Sequence, residues 1–346
     1  MFLLACMDNR SLTNNRINWI DWAKFFAITM VVFCHIPQPQ DSFLKFYIGI
    51  FHMPLFFFIS GYLTKVRKDT KEEFSKWKRS LIIPYFIYNL IFYPYWVIRL
   101  YVDNGGDIGL FDYLVKPIIG LFLLQIDTPI SCSVNGVTWF LVALIIMRMI
   151  VHFCSKSRYS TFYMIFIALL SVLLFIITSQ YESFDSFTRD GVFKCMPLYL
   201  LGFITRKHDI LNSISPKYNL IWAVLLIFIS VVCGKIYHDT NSFVIEMVSF
   251  YIVLVTATYG FMFLCKLLDS QKSSIMVDLS LGTLMIMGLH WMYIGTTNFV
   301  LEHLLHLQTG IEYPWYISIL FALAIDFAIY PLIIFAKKHM PILLGK

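Results

Sequence analysis

Charge is scarce in this sequence. Asp, Glu, Lys and Arg make up 14% of its 346 residues, against about 25% in soluble domains. Several motifs are absent too. There is no GxxxxGK[ST], no GxGxxG after a strand pattern, no GxSxG and no HExxH. Their absence argues against a P-loop ATPase, a nucleotide oxidoreductase, an elbow-type serine hydrolase and a zinc protease. Cysteine is sparse and irregular. Cys6, Cys34, Cys132, Cys154, Cys195, Cys233 and Cys265 form no CxxC or Cys/His metal spacing, so no metal site is expected. They read as small buried hydrophobes. A Cys132–Cys195 bridge outside the membrane is an open alternative that the sequence does not support. The opening MFLLACMDNR has no basic stretch before its short apolar patch. That predicts an uncleaved signal-anchor in place of a cleavable signal peptide.

What is abundant is apolar. The chain is 59% hydrophobic with 33 Phe, and its mean hydropathy is +0.72. Windows of about 20 apolar residues mark membrane spans. Ten are expected, at Trp19–Ile36, Phe46–Leu63, Leu81–Tyr101, Val137–Cys154, Thr161–Ser179, Lys194–Thr205, Tyr218–Tyr237, Val244–Cys265, Leu279–Val300 and Pro314–Ala336. The segment Leu114–Ile126 contains Lys116 and Pro117 and reads as interfacial or re-entrant. The fold class is therefore an all-α polytopic integral membrane protein. Residues 1–346 are expected to form one membrane domain, with 1–16 a short cytoplasmic segment and no soluble domain appended.

Charge placement orients these spans. The loop from Thr64 to Ser80 carries Lys65, Arg67, Lys68, Lys71, Lys76, Lys78 and Arg79, which marks it as cytoplasmic. Alternate loops repeat the pattern with Lys156 and Arg158, Arg206 and Lys207, Lys266 and Lys272, then Lys337 and Lys338. Acidic residues mark the other side, at Asp103, Asp107 and Asp112, Glu182 and Asp185, Asp239, then Glu302 and Glu312. Both termini are then cytoplasmic. The net charge of +6 is accounted for by this distribution and does not point to nucleic acid.

The first span carries ionisable residues that a lipid-facing helix excludes. Each costs roughly 2.5–3.5 kcal/mol at mid-membrane and defaults to a functional hypothesis. Lys24 and His35 are 11 residues apart, close to a whole number of turns, so they share a face about 16 Å from end to end. Asp21 falls near the same stripe. His35 suits general-base work on a hydroxyl, or is an interfacial histidine bonded to a backbone carbonyl. Lys24 suits an anionic ligand, or snorkels, or pairs with Asp21. In FHMPLFFFISGYL, Pro54 frees a carbonyl and Ser60-Gly61 permits close helix approach. His52 lies near the His35 level, and Tyr62 near the other end. Lys76 and Arg79 precede LIIPYF, where they either grip phosphates or anchor the loop. His290, in GLHWMYIG, is a mid-span histidine that again asks for a function.

These residues together resemble a family. NRINWIDWAKFFAITMVVFCH is similar to the opening of the membrane acyltransferase-3 family, with Arg16, Asp21, Lys24 and His35 at the matching positions. FHMPLFFFISGYL resembles the family's second-span pattern, KWKRSLIIPYF its basic stretch before the third span, and GVTWFLVAL and MPLYLLGFITRK later landmarks. Lys24 looks most like the fucose 4-O-acetylase-like branch. Many relatives have Arg then Gly there, and Phe25 replaces that Gly. The last landmark appears as LSLGTLMIMGLH, without its aromatic but with His290.

The resemblance implies an O-acyltransferase of the bacterial cytoplasmic (inner) membrane. It would move an acyl group, usually acetyl, from cytoplasmic acyl-CoA to a sugar hydroxyl of a surface or lipid-linked glycan. Acetyl-CoA is then a donor substrate, with no tightly bound cofactor. Arg16, Lys24, Lys76 and Arg79 would bind the donor phosphates, and the pantetheine arm would follow the first span. His35 would act as base or as covalent acyl relay. Ser60, Tyr62 and His52 are candidate oxyanion donors, with Asp21 and His290 in support. A flippase for lipid-linked sugars or polysaccharide is the rival reading, although no repeat relates the two halves. A non-catalytic assembly component is a second rival.

Overall fold

In lipid a backbone satisfies itself only through helices or a closed barrel, and every long apolar run here is helical. The computed structural model describes residues 16–107, 109–123, 127–181, 187–304 and 310–346. The N-terminal segment before residue 16, the end of the Leu114–Ile126 segment, Glu182 and Asp185 lie outside the described residues. Among the described residues the only β feature is an isolated bridge between Thr128 and Ser131. The main helices are α1 (Asn18–His35), α2 (Phe43–Tyr62), α3 (Thr70–Asp103), α4 (Lys116–Phe122), α5 (Trp139–Cys154), α6 (Ser160–Thr178), α7 (Met196–Lys207), α8 (Asn219–Asp239), α9 (Phe243–Lys266), α10 (Ser274–Leu281), α11 (Thr283–Phe299) and α12 (Trp315–His339).

Among the described residues, eight helices are long and apolar enough to cross a membrane: α2, α3, α5, α6, α8, α9, α11 and α12. The chain is a multi-pass membrane protein. The expected ten spans differ from this at two places. α1 has 18 residues, but Asn18, Asp21, Lys24 and His35 dilute its hydropathy. α7 has 12 residues, which rise about 18 Å against a hydrocarbon core of about 30 Å. α4 is shorter still, and α3 holds it and the turn before it: Tyr85 donates to the Leu121 carbonyl at 2.7 Å and Tyr93 to the Tyr113 carbonyl at 2.6 Å. Cys132 and Cys195 are both free. Burial, helped by Asp127, pushes the Cys132 thiol up to about 11.

α1 tolerates its polar residues because protein surrounds it. It packs against α2, α9, α10, α11 and α12, and the two apolar cores meet along it. Phe25, Ile28, Val31, Val32 and Phe33 belong to one core. Trp19, Ile20, Ala23 and Ala27 belong to the other. By contrast, only 17% of the apolar window of α8 is buried within the protein, so that helix presents its hydrophobic surface outward.

Small residues set the closest contacts. A Cβ on Gly61 of α2 would overlap the Tyr199 carbonyl of α7, and one on Gly202 of α7 would overlap the Phe58 carbonyl of α2. The two backbones therefore touch through reciprocal glycines. Gly282 plays a related part. A Cβ there would overlap the Ile333 side chain of α12, and the expected span Leu279–Val300 breaks at this residue into α10 and α11. The break leaves the Ser280 carbonyl for other partners. α3 contains a wide turn over Lys78–Ile82, just before Pro84, which has no N–H to offer the Ser80 carbonyl. The C-terminal turn Pro341–Leu344 docks there, and a Cβ on Gly345 would meet that carbonyl at 2.9 Å.

Candidate active site

The polar face of α1 ends in different surroundings at each end. At its C-terminal end, His35 lines a cavity of about 590 Å³ with His52 of α2, a size typical of small-molecule sites. His35 Nδ1 is 2.8 Å from the Val31 carbonyl and 3.3 Å from Nε2 of His290. The two rings lie 4.9 Å apart, and Trp291 meets His35 edge-on at 5.4 Å. Carbonyls fix both tautomers. His290 Nδ1 faces the carbonyls of Met287 at 2.7 Å and Ile286 at 3.2 Å, so it carries the proton and its Nε2 is an acceptor. His35 Nδ1–H then donates to both Val31 and His290. The Nε2 lone pair of His35 is left over. That nitrogen is not among the buried polar atoms lacking a partner, which makes it the one open to the cavity.

At the other end, Lys24 Nζ donates to the Ser280 carbonyl freed by the break at Gly282, at 2.6 Å. Asp21 is taken by Arg16 through contacts of 2.6 and 2.8 Å and by the Ser280 hydroxyl at 2.6 Å. The partner of Asp21 is thus Arg16, which leaves Lys24 to face a hollow of about 230 Å³ shared with Arg16, Lys65, Arg206 and Tyr62. Lys76 and Arg79 line a separate hollow of about 630 Å³ with Arg67, Lys78 and Lys346. The four cations expected to act together therefore fall into two basic hollows. Lys346 links them, lying within electrostatic reach of Arg16 and Lys24. Burial, with Arg16 and Lys337 nearby, lowers the Lys346 ammonium from its ordinary value, against the pull of Asp278.

The three oxyanion candidates separate. His52 lines the His35 cavity, its Nδ1 bonded to the Ile48 carbonyl at 3.0 Å. Ser60 donates to the Phe56 carbonyl at 2.9 Å. The Tyr62 hydroxyl accepts from Arg206 at 3.3 Å at the Lys24 end.

Five polar residues near this face escaped the sequence reading. Thr29, midway along α1, donates to Asp326 of α12 at 2.6 Å. Asp326 is fully buried and its Oδ1 has no partner. Arg148 of α5 contacts the Ser80 hydroxyl at 3.4 Å, with its Nε buried and unpartnered. Lys45 and Lys194 line the His35 cavity. The test that flagged Lys24, an ionisable residue inside an apolar window, picks out Asp326 and Arg148 equally. No sequence signal picks out Lys45 or Lys194, because both sit at span ends where lysine is ordinary.

Among curated proteins, the nodulation protein NolL of Mesorhizobium japonicum is 26% identical over 250 residues, covering 67% of this chain and 61% of that protein. The chain thus spans less than two thirds of that relative's length. No solved structure matches. The model of acyltransferase family 3, an acyltransferase domain, matches residues 17–332. That match takes in α1 through most of α12, including Lys24, His35 and His290, and this chain belongs to the acyltransferase-3 family.

Proposed function

We propose that the protein is an O-acyltransferase that takes an acyl group, usually acetyl, from cytoplasmic acyl-CoA and places it on a sugar hydroxyl of a surface or lipid-linked glycan. The observation that carries this reading is the α1 face. A basic hollow opens at Lys24, and a cavity opens at an unblocked His35 Nε2 about 16 Å further along the helix. With both termini cytoplasmic, the Lys24 end meets the cytoplasm of a bacterial inner membrane. Acyl-CoA is anionic through its diphosphate and 3′-phosphate. Two neighbouring basic hollows suit two phosphate groups, with Arg16, Lys24, Lys65 and Arg206 in one and Lys76, Lys78 and Arg79 in the other. An extended pantetheine arm matches the distance from there to His35.

The chemistry then follows from the tautomer. His35 Nε2 removes the proton from the acceptor hydroxyl as its oxygen attacks the thioester carbonyl. The C–O bond forms, the C–S bond breaks, and the departing thiolate takes the proton from His35. The products are the O-acyl sugar and free CoA thiol. His290 acts as a positioning residue, accepting from His35 Nδ1–H and so keeping the lone pair on Nε2. His52 also lines this cavity, but its Nδ1–H is held by the Ile48 carbonyl, so its Nε2 accepts and does not donate to the developing oxyanion. The test is acceptor-dependent release of CoA thiol by purified protein in liposomes, supplied with acetyl-CoA and lipid-linked glycans of the native host. Wild type should turn over, and His35→Ala should lose about 10²–10⁴-fold, the range for a general base. Full activity in a correctly folded His35→Ala protein would refute the mechanism.

A further inference from the structure

The His35 cavity carries positive charge that the chemistry above does not use. Lys45 enters it from α2, and Lys194 enters it from the residues just before α7. Lys45 lies within electrostatic reach of His35, and Lys194 within reach of His52. Both side chains are half-buried. Lys45 Nζ donates to the Ile36 carbonyl at 3.3 Å. Lys194 Nζ lies 5.3 Å over the ring of Phe250. Among the described residues no Asp or Glu lines the cavity, and neither lysine forms an ion pair. Asp190, four residues before Lys194, is taken by Arg189 at 2.9 and 3.1 Å. Two partly desolvated ammonium groups with no counter-ion among the described residues favour an anion in the space they share.

Aromatic rings form part of the wall of the same cavity. Phe46 and Tyr237 stack at 5.4 Å and 20°, and Phe250 continues the wall 5.6 Å from Tyr237. Flat aromatic faces of this kind pack against the C–H face of a sugar ring. Gly49 also lines the cavity and gives it room: a Cβ there meets nothing within 4 Å. Packing does not require glycine at this mid-helix position, where it costs about 0.5–1 kcal/mol relative to Ala.

We infer that the acceptor is an acidic saccharide, its ring packed on the Phe46–Tyr237 wall and its carboxylate or phosphate held by Lys45 and Lys194. This rests on the acyltransferase reading and deepens it. The anionic group has two sources, a uronate within the glycan or the phosphate that joins a saccharide to its lipid carrier.

Binding decides the matter without turnover. Full-length protein in nanodiscs is titrated with a neutral trisaccharide, the same trisaccharide bearing one uronate, and a polyprenyl-diphosphate-linked sugar. At least one anionic probe should bind about tenfold or more tightly than the neutral one, a gap that charge-assisted hydrogen bonds supply. Which anionic probe wins identifies the source. The double variant Lys45→Gln/Lys194→Gln should erase the preference. Gly49→Leu, which places a strong helix former in open space, should weaken the anionic probe by about tenfold or more through steric exclusion. Acyl-CoA binding at the far end of α1 reports that each variant is folded. Equal binding of all three probes overturns the inference. So does a preference that survives the double variant, or anionic binding untouched by Gly49→Leu. The two readings fail separately. Thiol release with a neutral acceptor, bound as well as the anionic ones, keeps the acyltransferase and removes the acidic acceptor. Lysine-dependent anion binding in a folded protein that never releases thiol does the reverse.

Discussion

Replacing His290 separates positioning from chemistry. His290→Leu keeps an apolar side chain of similar bulk in a fully buried place, and it removes the acceptor 3.3 Å from His35 Nδ1. The Val31 carbonyl, at 2.8 Å, still holds that proton and the Nε2 lone pair. What is lost is one neutral hydrogen bond, about 0.5–1.5 kcal/mol. If that orientation matters fully in the transition state, turnover falls about 2- to 13-fold. His35→Ala, which removes the base itself, loses about 10²–10⁴-fold. The assay is initial-rate thiol release against acceptor concentration, in liposomes, for wild type and both variants. The loss in His290→Leu should lie in kcat, with KM for acyl-CoA unchanged, because the donor hollows are at the other end of α1. His290→Gln, whose amide oxygen can again accept near the Nε2 position, should recover part of the loss. A folded His290→Leu protein as inactive as His35→Ala would sink the argument, since one long hydrogen bond cannot supply so large an effect. An unchanged rate would show that Val31 alone fixes the imidazole.

Two further variants test the packing. Gly202→Val places a side chain into the Phe58 carbonyl of α2 and should destabilise by about 1–3 kcal/mol, read as a lower thermal midpoint in detergent. Gly49→Ala, where a Cβ meets nothing, should raise that midpoint through about 0.5–1 kcal/mol of recovered helix propensity. Asp21→Ala strips Arg16 of two contacts and the Ser280 hydroxyl of its acceptor. Hydrogen bonds to charged groups are worth about 1.5–3 kcal/mol each. The lower end is expected, because the Arg16 side chain is 32% exposed and retains the Val277 carbonyl at 3.2 Å. An Asp21→Ala midpoint equal to wild type would show that Arg16 is already satisfied by water.

The Lys24–His35 face was legible in the sequence because it lies on one helix, where 3.6 residues per turn decides what shares a side. The long apolar windows were legible for a similar local reason, and α8, α9 and α12 fall within a few residues of their expected bounds. Relations that close across the chain were not. The spacing flagged His290 as odd but did not seat it against His35, 255 residues away. Periodicity allowed Asp21 to pair with Lys24, whereas Arg16 reaches it by folding back from just before α1. Gly282 falls inside one expected span, Leu279–Val300. Ile333 of α12 approaches it closely where the helix breaks, a contact that no local pattern records.

The partners of the α1 face have a consequence for biogenesis. Lys24 depends on the Ser280 carbonyl, Thr29 on Asp326 and His35 on His290, at separations of 256, 297 and 255 residues. At about 5–20 residues per second, the ribosome emits α1 roughly 13–60 s before the groups that satisfy it. For that interval a helix carrying Asp21, Lys24 and His35 waits at the membrane with open polar groups. Its stable seating is therefore an event of late synthesis, and nascent chains stopped before α10 should hold α1 within reach of water-soluble labels that the finished bundle excludes.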